Sequence, residues 1–206
     1  KKLADDNNVG DLYSLVNSGK WTLDEYAKIV DTFSKDLNGD SVMDEEDLYG
    51  YLSQPKAVLP AFWIASGVLS VNRNEADEPV FTMPSDEKFL NVFERVFAIT
   101  YDNNSWFRNS SETNYDDQFI NMFQNNKALF MDITFFYIES LRNMDADFGI
   151  IPYPKYDENQ ANYLSRIENC ELTCVPVTTD PEFASIILEA MASESSDTVI
   201  KAYYNV

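Results

Sequence analysis

The stretch that most constrains the fold is Lys127 to Asp157, KALFMDITFFYIESLRNMDADFGIIPYPKYD. It holds two apolar segments with a polar helix between them. Ala128 to Ile133 reads as a buried strand, Phe148 to Ile151 as a second, and Ile138 to Met144 as the short connector. Strand, crossover and strand form the unit of a parallel sheet. The polypeptide just after the first strand then points at whatever such a sheet binds. Here that is Thr134-Phe135-Phe136-Tyr137. The expected fold class is α/β, a mixed sheet flanked by helices.

Local signals place the other elements. Asp11 caps a short helix, Leu12 to Val16, that stops near Gly19. Thr22 and Glu25 form a capping box for a helix running to about Lys35, with Leu23, Tyr26, Ala27, Val30 and Phe33 as its apolar stripe. Trp21, just before that cap, reads as a packing residue. Leu48 to Tyr51 is extended, and a helix begins near Pro60 and closes at Gly67. A hairpin spans Val68 to Met83. Ser85 caps a helix from Asp86 to Ile99 whose stripe is Phe89, Phe93, Val96 and Phe97. Tyr101 to Tyr115 is asparagine-rich and reads as a loop carrying Trp106 and Phe107. A short helix covers Asp116 to Phe123, a loop Pro152 to Arg166 and a strand Glu171 to Val177. Asp180-Pro181 opens a last helix, with Phe183, Ile186, Ile187, Ala190 and Met191 on one face.

Charge and missing residue types narrow the chemistry. Asp plus Glu number 35 against 15 Lys plus Arg, a formal charge of -20. Such a surface repels nucleic acid and anionic lipid, and fits a neutral or cationic ligand. The chain has no histidine, so Ser-His triads and His-containing metal sites are excluded. No apolar run approaches the roughly 20 residues that span a bilayer. Cys170 and Cys174 would lie about 13 Å apart on a regular strand, too far for a disulfide. A bulge or turn would bring them closer, so a disulfide and two buried thiols both stay open.

The segment Asp36 to Asp47 places oxygen side chains at loop positions 1, 3, 5, 9 and 12, as Asp36, Asn38, Asp40, Asp44 and Asp47, with the Val42 carbonyl at position 7. This is the EF-hand pattern for a hard cation, so a structural Ca2+ is expected there, with no organic cofactor. Ser41 stands at the sixth position, where glycine makes the turn, and Asp47 replaces the longer glutamate. The competing reading is a solvated acidic loop.

Several strings together resemble the extracellular solute-binding proteins of bacterial sugar ABC importers, the maltose-binding-protein-like family. They are SGKWTLDE at 18–25, DLNGD at 36–40, NNKALF at 125–130, MDADFGIIPYPKYDENQ at 144–160 and CVPVTTDPEFASIILEAMA at 174–192. The resemblance implies a periplasmic-binding-protein-like (type II) lobe. Residues 1–173 would be the second lobe and 174–206 a hinge strand with the start of the return into the first. It implies a domain fragment of a longer protein that is extracellular, at the outer face of the cytoplasmic membrane as a lipoprotein, or periplasmic. The membrane would be met only through a lipid anchor on that protein.

The partners so implied are a mono- or oligosaccharide and the permease subunits of the importer. The resemblance places the sugar-stacking aromatic after the strand at Phe136, with Phe135 beside it. It places a second aromatic contact at Phe62 or Trp63, near Pro60. Asp132 is a candidate acceptor for paired sugar hydroxyls, and Trp106 a candidate loop contact. The expected function is non-catalytic capture of a carbohydrate and its delivery. Other readings are a peptide or other small solute, a calcium-stapled surface interaction module, and a glycoside hydrolase using Asp132 and Glu139.

Overall fold

In the computed structural model the sheet is built around its first strand. The structure describes residues 1–53, 55–102, 106–107, 115–142, 144–167 and 172–204. They form two compact units, Lys1–Arg166 and Ile167–Val206. The strands in chain order are β1 (Tyr49–Leu52), β2 (Val71–Arg73), β3 (Pro79–Phe81), β4 (Trp106–Phe107) and β5 (Ala128–Met131). The first helices are α1 (Lys2–Asp6), α2 (Leu12–Asn17), α3 (Leu23–Asp31), α4 (Pro55–Ala65) and α5 (Glu87–Phe97). They are followed by α6 (Tyr115–Gln124), α7 (Ile138–Leu141), α8 (Pro181–Asp197) and α9 (Val199–Tyr204).

All four residues of β1 are buried, as a strand covered on both faces requires. It pairs in parallel with β4 on one side and β5 on the other, giving the order β4-β1-β5. The antiparallel pair β2-β3 is a separate two-stranded sheet. The chain thus leaves β1 for one neighbour and returns to the other. Crevices at the carboxyl ends of parallel strands open at such a reversal.

The caps form where local chemistry places them. Asp11 accepts from the Ser14 amide at 3.1 Å, and the Thr22 hydroxyl accepts from Glu25 at 3.4 Å. Asp180 takes the Glu182 and Phe183 amides at the start of α8, with Pro181 in the first turn. Helix α3 buries Leu23, Tyr26, Ile29 and Val30, and Trp21 is fully buried beside it. It ends at Asp31, because Lys35 pairs with Leu48 in an isolated antiparallel bridge.

Other expectations are corrected. Phe148 to Ile151 is not a strand. Its Ile150 amide is held by the Tyr13 hydroxyl at 3.3 Å, a donor that a sheet partner would need. The segment is fixed instead by the Trp21 indole, which donates to the Pro152 carbonyl at 2.9 Å, and by a parallel bridge between Thr22 and Lys155.

The Trp106–Phe107 pair is not in a loop. Its backbone forms β4 and pairs with Tyr51 and Leu52. The residues between Leu172 and Val177 form no strand, and Leu172 and Val177 are exposed. No strand is described in Ile167–Val206 to pair with them. Helix α4 begins at Pro55, which places Pro60 inside it, and Gly67 follows its end with φ +77°.

The cap of α5 is Asp86, whose carboxylate accepts from Lys88 at 2.8 Å and Phe89 at 3.2 Å. Ser85 sits in a preceding 3-10 turn. The buried face of α5 is Val92 and Val96, followed by Ile99. Phe93 and Phe97 are exposed and lie in a row of rings, Phe89, Phe93, Phe97 and Tyr101, at successive turns, with centroids 6.4, 5.9 and 4.6 Å apart. The apolar residues of α8 are likewise exposed, Phe183, Ile186, Ile187 and Met191 among them.

Candidate functional site

The carboxyl edge of the parallel sheet carries a cavity of about 170 Å³. β1 delivers Tyr51 and, one residue beyond its end, Ser53. β5 delivers Phe130 and, one residue beyond its end, Asp132. The Ser53 hydroxyl donates to Asp132 Oδ2 at 2.9 Å, which ties the two strand ends together. Helix α3 supplies Tyr26, α4 supplies Phe62, and the extended segment after α7 supplies Tyr153. Trp21, Leu129 and Ile151 complete much of the apolar wall.

Three tyrosines are packed into the wall. Tyr26 and Tyr51 are each only 3% exposed. Burial pushes the phenols of Tyr26, Tyr51 and Tyr153 well above the ordinary value of 10, and the nearby Asp132 charge adds to the rise in each. They therefore remain neutral hydroxyls at any physiological pH. The hydroxyls of Tyr51 and Tyr153 lie near Ser53, Asp132 and each other. Even so, the hydroxyl oxygens of Tyr26, Tyr51 and Tyr153 are buried without a hydrogen bond of acceptable length and angle. Among the described lining residues, Asp132 is the only carboxylate.

Of the residues singled out in the sequence, Asp132, Phe62 and Phe135 meet at this cavity. Phe62 is a fully buried part of the wall, and Phe135 stands at the mouth, 75% exposed. Phe136 is 74% exposed and packs edge-on to Tyr137 at 5.2 Å, outside the lining. Trp63 faces away, edge-on to Phe89 at 5.5 Å. The backbone of Trp106 lies in β4, and its side chain falls outside the described residues. Glu139, on α7, is largely exposed beside Arg142 and does not line the cavity with Asp132.

Tyr26, Tyr51, Tyr153 and Ser53 are the site residues that the sequence reading missed. The available signal was a tyrosine on a core stripe, since its hydroxyl must end somewhere.

The acidic loop is closed on itself. Asp36 accepts from the Gly39 amide at 2.6 Å and the Ser41 amide at 2.8 Å. Asn38 takes the Asp40 amide, Asp40 takes that of Val42, and Asp44 takes that of Glu46. Asp47 is buried and accepts from Leu37 at 2.8 Å and Asp44 at 2.9 Å. Ser41 adopts φ +67°, the left-handed turn that glycine supplies at the sixth EF-hand position. Among the described residues, no three His, Cys, Asp or Glu side chains are arranged as a metal cluster. Cys174 is an exposed free thiol, and Cys170 lies outside the described residues.

No described helix is long and apolar enough to cross a membrane. In comparisons with protein-family models, curated proteins and solved structures, nothing matches this chain.

Proposed function

We propose that this chain captures a neutral carbohydrate without converting it and delivers it to the permease of an ABC importer. It would act outside the cytoplasmic membrane, with a lipid anchor as its tether to the outer face. The observation that carries this reading is the cavity at the carboxyl edge of β1 and β5. Aromatic walls cover the C–H faces of a sugar. One carboxylate in the lining, Asp132, offers acceptors for its polar edge. The cavity is smaller than the roughly 300–1,000 Å³ of a complete ligand pocket. That suits half of a cleft whose other wall is a second lobe, closing by population shift when ligand bridges both. The charge of -20 also favours an uncharged solute over an anionic one. The family resemblance of the strings around Asp132 and Tyr153 points the same way.

The test is a calorimetric titration of mono- and oligosaccharides into the full-length protein, with this chain alongside. Saturable binding by the full-length protein and weaker binding by the chain alone is expected. No binding across the panel, or binding of peptides instead, removes the carbohydrate reading.

A structural Ca2+ in the 36–47 loop belongs to the same proposal. Its support is the turn at Ser41, together with the acceptor capacity that each carboxylate oxygen keeps after taking one amide. Calcium then raises the thermal midpoint relative to EDTA, and equal midpoints would remove it.

A further inference from the structure

The side chains that line the cavity can receive a hydrogen bond but have none to give. Among the described lining residues only Trp21, Tyr26, Tyr51 and Tyr153 carry a polar hydrogen on the side chain. The Trp21 indole N–H is spent on the Pro152 carbonyl at 2.9 Å. The hydroxyl oxygens of the three tyrosines are buried within the protein, out of reach of anything in the cavity. The backbone from Phe148 to Pro154 is partly spent as well. Pro152 and Pro154 have no amide N–H, and that of Ile150 is taken by the Tyr13 hydroxyl. The polar side chain left to a ligand is Asp132, which only accepts and keeps acceptor sites beyond the one that Ser53 occupies. Around it the lining is aliphatic at Leu129, Ile133, Ile138, Ile150 and Ile151.

A lining of this kind sorts sugars by the groups they carry. A carboxylate or an acetamido carbonyl needs donors, and would be buried here without one from a side chain. A uronic acid also meets the Asp132 charge and a chain of net charge -20. A ring hydroxyl differs, because it can give its proton to Asp132, and two neighbouring hydroxyls can share the carboxylate. The exocyclic carbon of a hexose projects from the ring beyond those hydroxyls. With its own hydroxyl it would press a polar group onto the aliphatic wall. As a methyl it buries apolar surface there. An amino sugar would serve Asp132 but still turn that exocyclic hydroxyl to the wall.

We infer that the cavity selects a 6-deoxyhexose, a hexose unit whose exocyclic carbon is a methyl group. Asp132 accepts from its ring hydroxyls and the aliphatic wall covers the methyl. The inference rests on the carbohydrate reading and names the sugar class within it.

The experiment titrates matched pairs into the full-length protein by calorimetry. The pairs are 6-deoxy-D-glucose and D-glucose, D-fucose and D-galactose, and L-rhamnose and L-mannose, each as its methyl glycoside. D-Glucosamine, N-acetyl-D-glucosamine and D-glucuronate complete the panel. In at least one pair the deoxy sugar is expected to bind about tenfold tighter, or more, than its hydroxylated partner. N-acetylglucosamine and glucuronate are expected to bind more weakly than glucose. Ile133→Asn and Ile150→Asn each put a donor into the wall and are expected to remove most of the tenfold gap. Ile150 is 53% exposed, so at least this replacement leaves the core in place, and a thermal midpoint checks both.

Hexoses that bind as tightly as their deoxy partners overturn the inference and leave the carbohydrate reading standing. So does a preference for glucosamine, N-acetylglucosamine or glucuronate. A gap unchanged in both folded wall variants also overturns it, because the wall is then not what reads the methyl. No binding by these sugars or by oligosaccharides removes the carbohydrate reading and the inference with it.

Discussion

Asp47 shows how one side chain can organise a loop. It is covered by its own loop rather than by the deep core, and it holds the amides of Asp44 and Leu37. These two bonds pull its carboxyl below the ordinary value of 3.8, and Lys127 adds to them. The unfolded chain therefore takes up this proton first as pH falls. The stabilisation is complete above 3.8 and is lost as pH falls through the lower folded value. Urea unfolding at a series of pH values will show stability falling below pH 3.8, with a shallower fall in Asp47→Asn. Equal slopes in the two proteins would count against this assignment. The spacing of acidic residues in the sequence points to this loop. It does not say that the twelfth-position carboxylate is buried and turned onto amides, since that depends on the backbone closing around it. Tyr26 teaches the same lesson. Its place on the apolar stripe of α3 was legible, whereas the destination of its hydroxyl depends on Tyr51 and Asp132, far along the chain.

Among the elements, helix ends were the most legible, because a cap is settled by residues three or four apart. Asp11, Thr22 and Asp180 all act as their sequence neighbourhoods indicate. Strands were less legible, because each needs an edge supplied from elsewhere. β4 lies in an asparagine-rich stretch and owes its existence to β1. Phe148 to Ile151 is apolar but meets the Tyr13 hydroxyl rather than a strand.

β1 approaches α3 closely at Gly50. A Cβ on Gly50 would lie 2.6 Å from both Cγ1 and O of Val30 and 2.9 Å from its Cα. Two of these atoms are backbone and cannot step aside. Gly50→Ala is therefore expected to destabilise by about 1–3 kcal/mol in urea unfolding. Gly149→Ala is the control. The nearest atom its Cβ would meet is the Tyr13 hydroxyl at 2.6 Å, the end of a largely exposed side chain that can swing away. Equal losses from the two would show that α3 shifts freely on β1.

At the scale of the molecule, 35 acidic against 15 basic side chains make self-repulsion a general load on the folded state. The described ion pairs are surface pairs, including Lys2–Asp6, Arg73–Asp77 and Lys201–Asp197 within single helices or turns, and such pairs add little. Raising sodium chloride from about 0.01 M to about 1 M shortens the screening length from roughly 30 Å to roughly 3 Å. The thermal midpoint is expected to rise across that range, and a flat or falling midpoint would show that repulsion is not limiting.

The Trp21 indole and the Pro152 carbonyl that it binds stand 131 positions apart. A ribosome releases a chain from its first residue onward. Tyr26 and Tyr51 emerge early, but the part of the cavity wall from Phe148 to Pro154 exists only after that segment has been made and has docked on Trp21. A nascent chain halted anywhere before Pro152 has no pocket, so ligand in the surroundings cannot help it fold.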